Sequence, residues 1–228
     1  MDGTIKPRRQ TQVERRAESE QRLLAAAAEL IATEGFAAAS LERIGQIAGY
    51  SRGLASQKFG SKDGLVTALI AAVIAHSTEL LASRDAAPLS PLDDIIAYAD
   101  VILVQIERDP FIRAYWVMMA SAIANRLPMQ AQFLAEHEKV KQRLSGLIVQ
   151  GQANGEIDAA IDADAAALSI GSTLLGIGVE CLLDPGLDIP RVRAATLATI
   201  SRTLATAPGG ARDIGDRPAS RSKKDETQ

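Results

Sequence analysis

Apolar residues in this chain recur at the spacing of an α-helix in one segment after another, and proline or glycine interrupts the pattern between segments. Alanine and leucine supply most of the apolar side chains, whereas aromatic residues make up only 4% of the chain. Such a composition, with few runs of β-branched residues, favours packed helices over sheets. We therefore predict an all-α fold, and the 228 residues are enough to bury a core.

Glycine, proline and N-capping residues divide the chain into separate predicted helices. Gly35 ends the first of them, and Asp109-Pro110 and Leu127-Pro128 separate later ones. Residues 86–91 contain two prolines and are predicted to be a linker. The nine predicted helices cover residues 13–35, 41–48, 52–58, 62–82, 92–107, 110–124, 129–153, 164–183 and 190–206.

Charge is distributed unevenly along the chain. Residues 1–65 contain ten lysines and arginines against eight aspartates and glutamates, whereas residues 66–206 contain ten against sixteen. A basic end on an acidic body is expected when only one end of a protein contacts phosphates. The net charge of −3 therefore does not exclude binding to nucleic acid.

Residues 40–59 have the pattern of two short helices joined by a tight turn. Ser40 and Ser51 can cap the two helices, and Gly49 can adopt the positive φ that the turn requires. The contact between the helices is predicted to involve Ile44, Gly45, Ile47, Ala48, Leu54 or Ala55, and Phe59. This is the pattern of a helix-turn-helix, in which the second helix enters the major groove of DNA.

The stretch from Arg16 to Leu65 resembles the DNA-binding domain of the tetracycline-repressor (TetR) family of bacterial regulators. The matching segments are Ile31-Ala-Thr-Glu-Gly-Phe36, Ser40 with Ile44, Ala48-Gly49, Ser51-Arg52-Gly53 and Phe59-Gly-Ser-Lys62-Asp-Gly-Leu65. The remaining two-thirds of the chain is similar to the family only in the number and layout of its helices. The resemblance implies a three-helix DNA-binding domain followed by a helical ligand-binding and dimerisation domain.

From the pattern and the resemblance together we expect four segments. They are a flexible basic arm at 1–12, the DNA-binding domain at 13–62, the ligand-binding and dimerisation domain at 63–206, and a disordered tail at 207–228. Arg8, Arg9, Arg15 and Arg16 could reach a minor groove, but the glutamates among them favour a solvated terminus.

The resemblance also implies which residues contact double-stranded DNA. Ser40 and Arg43 would contact phosphates, and Lys58 and Lys62 would hold the flanking backbone. Ser51, Arg52, Gly53, Leu54 and Gln57 would lie on or beside the base edges. Hydroxyls at helix N-termini bind phosphate, and arginine and glutamine can read purines. Ser56 stands where the family usually has a phosphate-contacting tyrosine, so one backbone contact is expected to be weaker.

Large aromatic and methionine side chains concentrate in the C-terminal body, which suits an apolar ligand cavity. The predicted lining is Tyr98, Ile102, Tyr115, Trp116, Met119, Phe133, Leu174 and Gly178, with Arg113 or His137 as a polar anchor. For any one of these residues, ordinary core packing explains the pattern equally well.

A homodimer interface is predicted near the end of the body. Leucine recurs every seven residues at Leu168, Leu175 and Leu182, and glycines nearby allow helices to approach closely. The predicted interface is Leu168, Gly171, Leu175, Val179 and Leu182 with Val192, Ala195 and Thr199. The resemblance implies that two copies pair through their last two helices as a four-helix bundle.

These observations predict a regulator, most simply a repressor, that leaves a palindromic operator when a small hydrophobic ligand binds. A dimerisation scaffold that senses nothing, and a helical enzyme with an accessory DNA-binding domain, are the alternatives. Two histidines and one cysteine form no evident catalytic or metal-binding cluster, so we expect no catalysis, metal or cofactor. The lone Cys181 fits a reducing cytoplasm, and apolar runs such as 65–75 look too short for a membrane span.

Overall fold

The computed structural model describes residues 11–82 and 89–206, which fold into nine α-helices without a β-strand. The helices are α1 (Gln12–Glu34), α2 (Leu41–Ala48), α3 (Arg52–Phe59), α4 (Lys62–Ala82), α5 (Pro91–Arg108), α6 (Pro110–Asn125), α7 (Gln130–Ala153), α8 (Ala163–Leu183) and α9 (Ile189–Leu204). The predicted all-α fold is confirmed. Most of the predicted arm, half of the predicted linker and all of the predicted tail lie outside the described residues.

Local capping signals account for where the helices begin. Thr11 and Glu14 form a capping box at α1, in which each side chain accepts a hydrogen bond from the other residue's backbone N–H. Asp109 caps α6 with its carboxylate, and Pro110 follows at a position where no backbone N–H is needed. Because these signals act within one turn of helix, the predicted helix starts agree with the structure to within one or two residues.

The first three helices pack around one small apolar core. Ile44 of α2 and Ala55 of α3 are completely buried beneath α1. Ile47 was expected to face inward, and this expectation is wrong, because its side chain is 52% exposed. The buried face of α2 continues from Ile44 to the half-buried Ala48, four residues on, and this spacing turns Ile47 towards solvent.

The remaining helices form the body, and the first helix of the chain packs directly on it. α1 lies along α6, α7 packs on α8, and α5 packs on α9. α4 leads out of the three-helix unit formed by α1, α2 and α3 and packs against both α5 and α6. The three-helix unit is therefore joined to the body through two surfaces, α1 on α6 and the length of α4.

Two of the described helices, α4 and α8, are long and apolar enough to cross a membrane by length and composition alone. This corrects the expectation that the apolar runs are too short. In the structure both helices pack against others: α4 on α5 and α6, and α8 on α7. One or two such helices are weak evidence for a membrane span, because helices of globular proteins also meet the same criteria.

Candidate DNA interface and ligand cavity

The turn between α2 and α3 depends on two glycines. Gly49 has φ 76° and ψ 27°, the left-handed conformation that glycine adopts without strain. A Cβ on Gly45 would lie 3.1 Å from the carbonyl oxygen of Tyr50, so only a very small residue fits where the chain leaves α2. The backbone N–H of Tyr50 donates to the Gly45 carbonyl at 2.7 Å and closes the turn. The two helices are thereby held at a fixed angle.

The outer face of α3 is open to solvent. Ser51, Arg52, Gly53 and Gln57 are exposed, whereas Leu54 and Ser56 are half-buried. The Arg52 side chain is 72% exposed and lies 4.0 Å from a carboxylate oxygen of Glu42, a contact that solvent weakens. Arginine and glutamine on this face are free to reach base edges.

The capping serines keep a donor available. Ser40 Oγ accepts the backbone N–H of Arg43, and Ser51 Oγ accepts that of Leu54, both at 3.2 Å. A serine hydroxyl that accepts one bond can still donate its own hydrogen. Both residues lie at helix N-termini and are exposed, so each can cap its helix and donate to a phosphate at the same time.

Lys58 is engaged within the protein. Its Nζ donates to the backbone carbonyl of Arg16 at 2.7 Å and to the Glu20 carboxylate at 3.1 Å. The side chain is 16% exposed and ties α3 to α1. The resemblance implied a phosphate contact for this residue, and in the structure its Nζ is bound to these two partners on α1.

Lys62 and Arg43 also have partners in the protein. Lys62 Nζ donates to the Phe36 carbonyl at 2.7 Å and lies 4.0 Å from the centre of the Phe36 ring. Burial of this amine lowers its pKa below the ordinary value. Arg43 forms a 2.5 Å ion pair with Glu34, although its side chain is 43% exposed. Of the predicted cationic DNA contacts, Arg52 is the most accessible.

The body contains a cavity of about 440 Å³ bounded by α4, α5, α6, α7 and α8. The predicted ligand residues on its lining are Tyr98, Ile102, Tyr115, Trp116, His137 and Leu174. Lining residues that sequence reasoning missed include Val73, Ile74, Ser77, Thr78, Leu81, Val140 and Arg143. The long apolar run in α4 could have indicated that this helix contributes to the cavity wall, since a helix with a second apolar face packs against a second partner.

Four predicted ligand residues lie elsewhere. Met119 and Phe133 are buried in the core beside the cavity, because their side chains pack between helices. Gly178 lies against the indole of Trp116, where a Cβ would be 2.6 Å from the ring. Arg113 is exposed and does not line the cavity. His137 is therefore the only one of the two predicted polar anchors that reaches the lining.

An aromatic cluster forms one wall of the cavity. The Tyr115 ring meets the rings of Trp116 and Phe133 edge to face, with centroid distances of 5.3 and 4.9 Å. Burial raises the pKa of Tyr98 to about 12 and raises that of Tyr115 further, so both phenols remain neutral. Burial also lowers the pKa of His137, which favours the neutral imidazole.

Charged residues around the cavity are paired with one another. Lys139 bonds Glu136 at 2.7 Å, and Arg143 bonds Asp94 at 3.2 Å while its guanidinium lies over the Tyr98 ring. Among the described residues, no group of three His, Cys, Asp or Glu side chains could hold a metal ion.

The predicted dimer residues divide between two environments. Leu168, Val179, Ala195 and Thr199 are exposed, and Gly171, Leu175, Leu182 and Val192 are half-buried. Of these, Leu168, Gly171 and Leu175 also line the cavity. A strip of exposed apolar and small residues runs along α8 through Leu168, Ser172, Gly176, Val179 and Leu183, and its first two members lie at the edge of the cavity.

A comparison with known families identifies the N-terminal part of the chain. Residues 23–69 match the sequence model of the family described as "Bacterial regulatory proteins, tetR family". The match covers the end of α1, all of α2 and α3, and the start of α4. No curated protein matches the sequence.

Solved structures share the fold over most of the chain. A SmeT–triclosan complex has a TM-score of 0.71 and 20% identity, covering 89% of this chain and 99% of that chain. A TetR transcriptional regulator from Chloroflexus aurantiacus J-10-FL has a TM-score of 0.67 and 23% identity, with coverages of 85% and 99%. NalD, the secondary repressor of the MexAB-OprM multidrug efflux pump in Pseudomonas aeruginosa, has a TM-score of 0.62 and 19% identity, with coverages of 87% and 99%.

Proposed function

Because residues 23–69 match the sequence model of the tetR family of bacterial regulatory proteins, we propose that this chain is a transcriptional repressor whose operator binding is relieved by a small hydrophobic effector. It works in the bacterial cytoplasm, where the operator DNA lies. The observation that carries the proposal is the course of α4. This helix begins at Lys62 in the DNA-binding domain, and its second half forms a wall of the cavity.

The exposed face of α3 supports a role in reading DNA. In the proposed complex Arg52 and Gln57 read base edges, and the hydroxyls of Ser40 and Ser51 donate to phosphates. Gly53 allows the backbone to approach the DNA closely, since no side chain intervenes. Lys58 and Lys62 hold the domain together instead of neutralising phosphates, which leaves Arg52 as the main cationic contact on α3.

The exposed strip on α8 supports a homodimer. Val179 and Leu183 are 38% and 73% exposed, and exposed apolar residues in a row mark interaction surfaces. Ser172 and Gly176, which precede them on the same face of α8, are small enough to allow a second helix to approach closely. Ala195 and Thr199 extend this surface onto α9. A two-fold dimer requires an operator with two matching half-sites.

The cavity supports an effector of hydrophobic character. Its volume of about 440 Å³ is within the usual range for small-molecule sites. SmeT, which shares the fold, is described in complex with triclosan, and another structure with the fold is a γ-butyrolactone receptor, described as an ArpA-like protein. A molecule in this cavity would press on α4, and a shift of α4 changes the position of the DNA-binding domain.

The cavity also favours a sensor over the alternative of a scaffold that senses nothing. A scaffold gains no stability from leaving space between its helices, because close packing is the more stable arrangement. A cavity walled by the helix that leads to the DNA-binding domain is the arrangement that a ligand-controlled regulator needs.

Genome-wide capture of bound DNA, followed by footprinting with the purified protein, tests the proposal. We expect a palindromic site whose half-site centres are about one helical turn or more apart, roughly 34–36 Å at the closest. The chemistry encoded by the genes next to this site should indicate candidate effectors, and one of these small molecules should release the protein from the site. Protection of a single asymmetric half-site by one chain would contradict the dimeric repressor.

A further inference from the structure

Three polar aromatic side chains on the cavity wall form no hydrogen bond with the described part of the chain. They are the phenols of Tyr98 on α5 and Tyr115 on α6, and the imidazole of His137 on α7. Buried polar groups in proteins are nearly always hydrogen-bonded, because an unpaired one has lost its bond to water without replacement. Three such groups on one wall indicate that their partner is a molecule in the cavity.

The hydroxyls that α4 contributes to the same cavity are different, because the protein already uses them. Ser77 Oγ lies 3.0 Å from both the Val73 carbonyl and the Gln105 amide oxygen. Thr78 Oγ1 donates to the Ile74 carbonyl at 2.8 Å. The unpaired groups therefore belong to the side of the cavity formed by α5, α6 and α7.

The unpaired phenol and imidazole atoms can be reached from the cavity. Among the described residues, the buried side-chain atoms that lack both a hydrogen-bond partner and accessible surface are the Gln105 amide nitrogen and the Trp116 indole nitrogen. The oxygens of Tyr98 and Tyr115 and the nitrogens of His137 are not among them, so these atoms retain accessible surface. Because all three residues line the cavity, a molecule inside it can contact them.

The three groups lie close together. The ring centroids of Tyr115 and His137 are 6.2 Å apart. Burial, and after it the proximity of the Tyr98 phenol, raises the pKa of Tyr115, so the two phenols are electrostatic neighbours. One small polar group on a ligand can therefore contact more than one of them.

The chemistry of the three groups specifies a complementary group. Each phenol offers an O–H donor. Burial lowers the pKa of His137, and a neutral imidazole has one acceptor nitrogen. An ether or carbonyl oxygen can only accept hydrogen bonds and would leave the imidazole unpaired. A hydroxyl both accepts and donates, so it satisfies the phenols and the imidazole together.

We infer that the effector is a mainly apolar molecule with a hydroxyl group, which accepts hydrogen bonds from the phenols of Tyr98 and Tyr115 and donates one to the imidazole of His137. The inference rests on the proposed function, since it concerns the ligand of the same cavity. It makes these three side chains specificity-determining residues, which select a hydroxyl over an apolar group of similar size.

Three naphthalene derivatives serve as probes. 2-Naphthol carries a hydroxyl, 2-methoxynaphthalene carries an oxygen that can only accept, and 2-methylnaphthalene replaces the hydroxyl with a methyl group of similar size. Equilibrium dialysis at pH 7, where 2-naphthol is uncharged, measures the affinity of the full-length protein for each probe.

Four variants locate the contact. Tyr98→Phe and Tyr115→Phe each remove one hydroxyl and keep the ring, and His137→Phe keeps a ring without the acceptor nitrogen. Thr78→Val is the matched control, because it removes a hydroxyl of the lining that already donates to the Ile74 carbonyl. Circular dichroism confirms that each variant is helical.

The wild-type protein should bind 2-naphthol about tenfold more tightly than 2-methylnaphthalene, a ratio that one or two net hydrogen bonds supply. It should also bind 2-naphthol more tightly than 2-methoxynaphthalene. His137→Phe and at least one of the phenylalanine variants of the tyrosines should lower the preference for 2-naphthol several-fold, whereas Thr78→Val should retain it.

The contrary results separate the inference from the proposed function. Binding of 2-methylnaphthalene or 2-methoxynaphthalene as tight as that of 2-naphthol would overturn the inference while the cavity remains a ligand site. The same holds if His137→Phe, or both tyrosine variants, keep the full preference. If none of the three probes binds, the proposed ligand cavity fails together with the inference.

A second measurement observes the imidazole directly and needs no variant of the site. The chain has two histidines, and His76 does not lie on the cavity lining, so it is an internal control. In the ¹⁵N-labelled protein, 2-naphthol should move the acceptor nitrogen of His137 upfield, as expected when this nitrogen accepts a hydrogen bond, and should leave His76 unchanged. The same shift with 2-methylnaphthalene would contradict a bond from the hydroxyl.

Discussion

Single side chains in the DNA-binding domain differ in whether they are free to meet DNA. Lys58 is bound to Arg16 and Glu20 of α1, whereas Arg52 is 72% exposed. Both are cations on the same eight-residue helix, α3. Their opposite environments follow from the rotation of α3, which turns one side towards α1 and the other towards solvent. The two residues should therefore respond differently to substitution.

Replacing Lys58 with methionine should destabilise the domain. The change keeps the aliphatic stem and removes the charged hydrogen bonds to α1, so we expect the free energy of unfolding to fall by about 1–2 kcal/mol. Urea denaturation measures this change. Arg52→Ala is the matched control and should leave the unfolding free energy within about 0.5 kcal/mol of the wild type. An unchanged midpoint for Lys58→Met, with a flatter salt dependence of DNA binding, would instead assign Lys58 to a phosphate.

Replacing Arg52 or Gln57 with alanine should reduce sequence discrimination. Each side chain can contribute about 1–3 kcal/mol of preference for the correct base, and this preference is lost with the side chain. Fluorescence anisotropy with the operator, a point-mutated operator and a random duplex measures it. If all three duplexes lost affinity equally, these residues would contact only the backbone.

Two of the elements require a glycine, the α2–α3 unit because of the conformation of its turn and α8 because it approaches α6 closely. Gly49 has a positive φ, and at Gly178 the Trp116 indole occupies the space that a side chain would need. These are two different reasons for glycine, one conformational and one steric. Gly146, in the middle of α7 with open space around it, has neither reason and serves as the control for both.

Gly49→Ala should destabilise the DNA-binding domain by about 1–2 kcal/mol, because an alanine in the left-handed conformation brings its Cβ close to the backbone. Gly146→Ala should stabilise the protein by about 0.5–1 kcal/mol, since alanine is the better helix former. Thermal unfolding followed by circular dichroism compares the two. A stabilised Gly49→Ala would show that the turn does not require the left-handed conformation.

Gly178→Ala should disturb the packing around Trp116. The added methyl would lie 2.6 Å from the indole ring, and overpacking of this kind costs about 1–3 kcal/mol. The tryptophan fluorescence should change along with the unfolding midpoint, because the only tryptophan is the displaced group. A variant with unaltered fluorescence and stability would mean that α8 can move away from α6 without cost.

For the molecule as a whole, α8 would serve both assembly and signalling in the proposed dimer. It lines the cavity through Gly171, Leu174 and Leu175, and further along the helix it presents Val179 and Leu183 to solvent. In the proposed dimer a ligand therefore lies one helix thickness from the partner subunit. This arrangement lets occupancy of the cavity affect the separation of the two DNA-binding domains.

Val179→Asp should convert the dimer to monomers. The residue is 38% exposed in the single chain, so the substitution leaves the monomer fold intact, and a charge buried in the interface is costly. Leu134→Asp is the matched control, since Leu134 is 69% exposed on α7, and it should leave the mass unchanged. Sedimentation analysis at micromolar concentration distinguishes the two states. A wild-type protein that sediments as a monomer would overturn the predicted dimer.

The sequence by itself was sufficient to predict where the helices lie and to recognise the DNA-binding domain. Ser40, Gly49 and Pro110 act on the backbone within one turn of their own positions, so their effects can be predicted from neighbouring residues alone. The resemblance recognised over Arg16 to Leu65 is likewise confirmed by the family match at 23–69. Short-range chemistry of this kind does not depend on how the helices finally pack.

Only the tertiary structure decided which side chains are available for function. Whether Lys58 meets a phosphate or Arg16, and whether Phe133 lines the cavity or packs behind it, depends on helices that are distant in sequence. Helical periodicity shows that a residue belongs to an apolar face, but every core residue shares that property. The contribution of α4 to the cavity, and the close approach of the Trp116 indole to Gly178, arise where several helices meet, and no single segment encodes either feature.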